Sequence, residues 1–564
     1  MLAKIRQRLA KVHWLALLYR KYVRRLPMTS CYADVCRIQH DELSRLSLNS
    51  THVISFIYLL NEENRGHLDS VIRDLTQQSS NHWQLIIIGN NAELLALQTR
   101  LELLESDARF KRVGCEDKSS AFYQAVKATE GKLVCFLHHA PKVHCHFVST
   151  LQHYHQQFKT DFYYFDHDHL SESSDRVDPE LKPDWNPDLF LSKDNVSQSL
   201  VIDREYLLTQ EQKNVFSFDG ELYRLLVSQI SSESVFHIPY VLFHQRLVIT
   251  ETSQEREYKT SLLQELSEQV EPGLIEGSFH IKWPLPKELP LVSIIIPTKN
   301  GFDLVKTCLS SLYEKTQYTN FEVILVDNGS DDAEAIQYFS DLAEQGKVNL
   351  LSYDAPFNYS AINNFAVKQA KGDVLVFMNN DIEVISEHWL DEMVAQALRP
   401  NIGCVGAKLF YPNDLIQHAG VIIGLWGCAG HSHKLASMQD DGYCGRLKLV
   451  QNYSAVTAAC LAIRKETFWA VGGFNAEDLA VAFNDVDLCL KVEKLGYRNL
   501  WTPYAELYHY ESISRGPEDT PEKKAREQKE IAYMRNTWKL DEITDPAYNP
   551  WLTQIKEDFS IGDV

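Results

Sequence analysis

The stretch KGDVLVFMNND, residues 371–381, decides the fold reading. Five apolar residues, Val374-Leu375-Val376-Phe377-Met378, run without alternation and stop abruptly at Asn379, Asn380 and Asp381. An uninterrupted apolar run of this length is the pattern of a strand buried on both faces. Its surroundings agree. From residue 291 the chain reads LVSIIIPT, a helical pattern over 303–315, EVILVD, a helix near 333–345, VNLLSY, a helix near 361–371, and then DVLVFM. Val/Ile/Leu strands alternating with amphipathic helices predict a parallel sheet covered on both sides, an α/β domain. Ligands of such sheets bind beyond the carboxyl ends of the strands, where Asp327 and the Asn379-Asn380-Asp381 run emerge.

The same order occurs earlier in the chain. HVISFIYLLNE (52–62) parallels LVSIIIPTKN, WQLIIIGN (83–90) parallels FEVILVDN (321–328), and EGKLVCFLHHA (130–140) parallels KGDVLVFMNND. Offsets of 238 to 241 residues and the Gly131/Gly372 equivalence predict a duplicated domain, not a solenoid of short repeats. The copies differ at the strand ends: Asp327 faces Gly89, Asn364 faces Tyr123, and Asp381 faces Ala140. The first copy therefore reads as a scaffold without the polar groups.

At 564 residues the chain exceeds what one core serves. The expected division is a basic helical region over 1–48, a degenerate first domain over 49–250, a linker over 251–288, and a second domain over 289–564 that ends in a helical tail. Eleven cysteines without a CxxC pair suit reduced thiols of a cytosol. No apolar run approaches the ~20 residues of a membrane span, and the N-terminus lacks a signal-peptide pattern. The net charge of −20 argues against nucleic acid as a partner.

Residues 1–26 hold eight Lys/Arg and no acid. Apolar residues recur there at steps of three and four, from Leu2 and Ile5 to Val23 and Leu26, with Trp14, Tyr19 and Tyr22 among them. This predicts an amphipathic helix suited either to an anionic membrane surface or to docking on protein, including a second copy. On the first alternative the protein is cytoplasmic and peripheral on the inner face of the membrane.

The segment VSIIIPTKNGFDLVKTCLSSLYEKTQYTNFEVILVDNGS, followed by NNFAVKQAKGDVLVFMNNDIEV, resembles family 2 glycosyltransferases of the GT-A fold. Further likenesses are IQHAGVIIG (416–424), SAVTAACLAIRKETFWAVGGFN (454–475), FNDVDLCLKVEKLGYRN (483–499), TPYAELYHYESISRG (502–516) and DPAYNP (545–550). LKPDWNPDLFLS (181–192) resembles the leading domain of two-domain members of bacterial surface-polysaccharide synthesis, so the likeness covers roughly 50–555. It implies two tandem GT-A-like, Rossmann-like domains. The implied reaction moves a sugar from a nucleotide diphosphate, dTDP or UDP with rhamnose among the sugars, to a glycan or lipid-linked acceptor with inversion, as in O-antigen or capsule synthesis.

The resemblance also implies roles. Asp381, at the last position of the family's Asp-x-Asp motif, is the expected ligand of Mn²⁺ or Mg²⁺, and His509 a second ligand that favours Mn²⁺. Asn379 stands where the motif has its first acid and removes a charge. Asp485 is the expected general base, with Asp487 as fallback. Pro297, Thr298, Asn300, Asp327, Asn328, Asn364, Asn380 and Arg515 are expected around the nucleotide, with Ser330 shaping the Asp327 loop. In the first copy the histidines of HHAPKVHCH (138–146) lack closed zinc spacing and read as loop residues, while Asp219 occupies the base-equivalent position. Two other readings are a non-catalytic scaffold and a bifunctional transferase. A nucleotidyltransferase would carry a basic glycine-rich loop after the first strand, and PTKNGF has one Lys and one Gly.

Overall fold

The computed structural model describes residues 32–46, 51–62, 64–116, 118–210, 217–232, 234–246, 251–510 and 520–562. The expected helix over 1–26 and Arg515 lie outside these. Contact density divides the chain into an N-terminal unit, 28–266 with 549–552 and 561–564, and a C-terminal unit, 267–548 with 553–560. The expected linker over 251–288 is structured. A helix, Ser253–Gln264, capped by the Thr252/Glu255 reciprocal pair, belongs to the N-terminal unit, and a hairpin of Gln269–Pro272 with Phe279–Lys282 belongs to the C-terminal one.

In the C-terminal unit the sheet runs Asn349–Ser352, Phe321–Asp327, Val292–Thr298, Val374–Met378, Cys460–Arg464, Ile402–Phe410, Arg498–His509, Ile382–Val384. The first four strands are parallel, and the strand at 460–464 joins antiparallel to the fourth. In the N-terminal unit the order is Phe110–Gly114, Trp83–Gly89, Ile54–Leu59, Leu133–Phe136, Leu200–Asp203, Phe162–Leu170, Val235–Gln245, Lys142–Val143. Taken by rank along the chain, the two orders coincide strand for strand. The duplication read from three segments thus extends to all eight positions.

One detail of both copies shows why the repeat kept its glycines. The Gly131 N–H donates to Ser55 Oγ at 2.9 Å, and the Gly372 N–H donates to Ser293 Oγ at 2.8 Å. A Cβ on either glycine would sit 2.5 or 2.6 Å from the carbonyl oxygen of Val53 or Leu291. Only glycine lets the chain enter the fourth strand so close to its neighbour.

The central strands are apolar because both faces are covered. All five residues of Val374–Met378 are buried, and Trp389, Met393 and Val394 of the helix Trp389–Ala397 share one core with Val374, Val376 and Met378. Each such side chain contributes about 1.5–3 kcal/mol by leaving water. The polar residues that follow the strand emerge at its carboxyl end, with those of the parallel neighbours. Among the described residues no helix is long and apolar enough to cross a membrane.

Candidate active site

The strand ends of the C-terminal unit open on a cavity of about 1030 Å³. Pro297, Thr298, Asn300 and Asn328 line it from the first two strands, Asn379, Asn380 and Asp381 from the fourth, Asn484 and Asp485 from a helix start, and His509 from a strand end. These segments lie more than 200 residues apart at the extremes, from Pro297 to His509, and meet because the sheet order interleaves them.

Asp381 and His509 meet through strand pairing. Ile382 stands in register with His509, and the Tyr510 N–H donates to the Asp381 carbonyl at 3.0 Å. Asp381 Oδ1 and His509 Nε2 lie 3.2 Å apart, and both side chains are buried. Yet Asp381 Oδ1 makes no hydrogen bond, and the Asn379 amide reaches the same Nε2 at 3.2 Å. A buried carboxylate oxygen without a donor is costly unless a cation completes it. An oxygen and an imidazole nitrogen facing one point therefore fit a divalent ion, and the imidazole inclines the pair to Mn²⁺ over Mg²⁺.

Asp485 is the second residue of the helix Asn484–Lys494, which follows Phe483 in the left-handed region at φ 59°. Strain of this kind persists where the surroundings over-determine it. Oδ2 of Asp485 accepts the Ala458 N–H at 3.0 Å and Oδ1 accepts the Val486 N–H at 2.9 Å. Burial nevertheless raises its pKa above the ordinary carboxylate value, against the lowering by the Ala458, Thr457 and Val486 hydrogen bonds. Asp487 is placed otherwise. Fully buried, it accepts from Trp538 Nε1 at 3.0 Å and pairs with Lys491 at 2.6 Å, so it does not reach the cavity and the fallback base is set aside.

The loops after the first two strands are tied to each other. Asn300, at φ 54°, donates Nδ2 to Asp331 at 2.7 Å and accepts the Asp331 and Asp332 N–H groups at 2.9 and 3.0 Å, while its own N–H donates to Ser330 Oγ at 2.7 Å. Asp327 Oδ1 accepts the Ser330 N–H and hydroxyl at 3.0 and 2.6 Å. Asn328 donates to the carbonyls of Tyr353 and Ala355, both at 2.8 Å. Asn380 donates to Thr298 Oγ1 at 2.9 Å. Of these, Thr298, Asn300, Asn328 and Asn380 line the cavity, whereas Asp327 and Ser330, expected beside the nucleotide, do not: the Asp327 carboxylate is turned onto its own loop through Ser330. Asn364 does not line the cavity either: its amide donates to the Phe474 carbonyl at 2.8 Å and accepts the Phe474 N–H at 3.0 Å, pinning the Gly472-Gly473 turn.

Sequence reasoning missed two groups of contributors, the first from the 411–453 region and the second from the tail helix. His431 and Gln417 line the cavity from the 411–453 region, whose irregular pattern gives no periodicity to read. Behind them His418, fully buried, accepts the Thr457 N–H at Nε2, 3.4 Å, which leaves Nδ1–H to donate to His431 Nδ1 at 2.9 Å. Burial, with His431, His509 and Lys434 nearby, holds the His418 pKa well below the usual value, so the ring is neutral. The motif IQHAGVIIG was the available signal. The second is Glu530 of the tail helix Pro521–Trp538, which accepts the N–H groups of Val481 and Ala482 at 2.9 and 3.3 Å and so fastens the loop that delivers Asp485.

Fold and site together define a GT-A-like α/β unit with a carboxylate and imidazole pair at the strand ends and a second carboxylate across the cavity. Residues 293–426, within the C-terminal unit, match the model of glycosyl transferase family 2. The chain is 44% identical to the uncharacterized protein y4gI of Sinorhizobium fredii over 418 residues, 71% of this chain and 46% of that one. It is 32% identical to the O-antigen biosynthesis protein RfbC of Myxococcus xanthus over 532 residues, 91% of this chain and 41% of that one. A shorter match, 31% over 132 residues, covers 23% of this chain and 41% of the O-antigen chain rhamnosyltransferase RfbN of Salmonella typhimurium. The chain thus spans less than half the length of these relatives.

Proposed function

We propose that the C-terminal unit transfers a sugar, with inversion, from a nucleoside diphosphate donor to a glycan or lipid-linked acceptor of surface-polysaccharide synthesis. The observation that carries this is the buried Oδ1 of Asp381, which makes no hydrogen bond and lies 3.2 Å from His509 Nε2, in the same cavity as a carboxylate whose pKa is raised. Asp381 and His509 would hold a divalent ion, which neutralises the charge that gathers on the departing diphosphate.

The protein's own groups do the rest. Pro297, Thr298, Asn300, Asn328 and Asn380 shape the nucleotide end of the cavity, and Asp327 holds the Ser330 turn behind Asn300. Asp485 takes the proton from the acceptor hydroxyl as its oxygen bonds to the anomeric carbon, and the bond from that carbon to the diphosphate oxygen breaks. A raised pKa suits a carboxylate to this transfer better than an ordinary one. The cavity volume of about 1030 Å³ accommodates a nucleotide and sugar, ligands of the size that such clefts hold. The match to a rhamnosyltransferase makes dTDP-rhamnose the first donor to try, then other dTDP- and UDP-sugars.

The test is release of nucleoside diphosphate from a donor panel with Mn²⁺ present, with and without oligosaccharide acceptor. Activity is expected from the wild type and a loss of about a hundredfold or more from Asp485→Asn, in line with the usual worth of a general base. Equal turnover by this variant would remove Asp485 from its role, and no turnover of any donor would favour a scaffold.

A further inference from the structure

The N-terminal unit keeps the geometry of the site while changing its chemistry. His138 and His139 follow the strand Leu133–Phe136 as Asn379 and Asn380 follow Val374–Met378. Asp219 is the second residue of the helix Phe218–Val227, as Asp485 is of Asn484–Lys494. In the C-terminal unit the equivalent groups stand around a cavity. Here they converge. His138 Nε2 lies 2.9 Å from Asp219 Oδ1, and His139 Nε2 lies 3.1 and 3.0 Å from its two oxygens. All three ligand atoms fall within 4.8 Å of one another.

We propose that His138, His139 and Asp219 form a binding site for a transition-metal dication of the Zn²⁺ class, distinct from the ion of the C-terminal unit. Two imidazoles and one carboxylate are the donor set that borderline ions take, and three protein ligands leave a fourth position open to water or substrate. An ion has access, because the side chains of His139 and Asp219 remain 24% and 21% exposed.

Two other groups of this unit are weaker candidates. In His167, His169 and Glu180 the Lys182 ammonium lies 2.7 Å from His167 Nδ1, a cation beside the would-be ligands. In His40, Cys145 and His146 burial raises the Cys145 thiol, which disfavours the thiolate that binds metal.

The experiment uses the full chain carrying Asp381→Ala, which deprives the C-terminal site of its carboxylate. Titration with Co²⁺ is expected to give one bound ion with the visible absorption of tetrahedral Co²⁺, displaced by Zn²⁺. Added Asp219→Asn and, separately, His139→Ala are expected to weaken binding more than about a hundredfold, beyond the roughly 10–100-fold effect typical of residues that merely support a ligand. His146→Ala should leave it unchanged. Circular dichroism checks each fold, and His139→Gln, which keeps a polar side chain, decides the question should either variant unfold. Absence of stoichiometric Co²⁺ in the Asp381→Ala chain, unchanged affinity in the Asp219 and His139 variants, or loss in His146→Ala would each overturn the proposal.

Discussion

Truncating Glu530 to alanine tests how the tail helix holds the base loop. The Glu530 carboxylate is 1% exposed and accepts the Val481 and Ala482 N–H groups at 2.9 and 3.3 Å, with Arg526 3.6 Å away. A hydrogen bond to a charged group is worth about 1.5–3 kcal/mol, so two amount to at least about 3 kcal/mol of local stability. Glu530→Gln keeps one acceptor oxygen and turns an N–H against the second amide, so about half the loss is expected. A local cost of about 3 kcal/mol corresponds to roughly a hundredfold faster hydrogen exchange at Val481 and Ala482. Native-state exchange read by mass spectrometry measures this directly. Turnover should fall with it, since the loop leads within four residues to Asp485, while nucleotide binding at the strand ends persists. Unchanged exchange at both amides in Glu530→Ala would refute the reasoning, because no other acceptor would then be missing.

Three further outcomes follow from the same groups. Because burial raises the Asp485 pKa, the acid limb of kcat/KM should lie above the ordinary carboxylate range, with activity lost as pH falls through it; a limb at or below that range contradicts the assignment. Asp487→Asn should weaken the Trp538 and Lys491 contacts, lowering the melting temperature without moving that limb, whereas a shifted limb would make Asp487 part of the proton transfer. His433 is pushed down to about 3, first by burial and then by Arg446 and Lys408. The unfolded ring protonates near 6.5 and the folded one does not, so stability falls as pH drops from about 6.5 toward 3, by about 2 kcal/mol at pH 5. Urea midpoints of His433→Gln should therefore fall less between pH 7 and 5 than those of the wild type.

The fold was legible where periodicity and glycine placement express it. The run at 374–378, its partner at 133–136, and the glycines before both follow from local constraints that a sequence displays. The region 251–288 was not, because a polar amphipathic helix and a short hairpin resemble a linker in composition. Asp381, His509 and Asp485 line one cavity because each stands at a boundary of regular elements: between two strands, at the end of a strand and at the start of a helix. Asn364 has the motif but not the cavity: Gly473 is at φ 71°, and a Cβ there would lie 2.7 Å from Asn364 Oδ1, so this asparagine and glycine form one turn. His138 and Asp219, 81 residues apart, show no metal spacing because the sheet, not the sequence, brings them together.

The proposed chemistry rests most directly on Asp381. Calorimetric titration of the wild-type chain with dTDP and UDP, in Mn²⁺ and in chelator, tests it without requiring the donor sugar to be known. It predicts binding strengthened more than about tenfold by Mn²⁺, with that gain lost in Asp381→Ala and kept in Asp485→Asn. Equal, Mn²⁺-independent binding by the wild type and Asp381→Ala would contradict it.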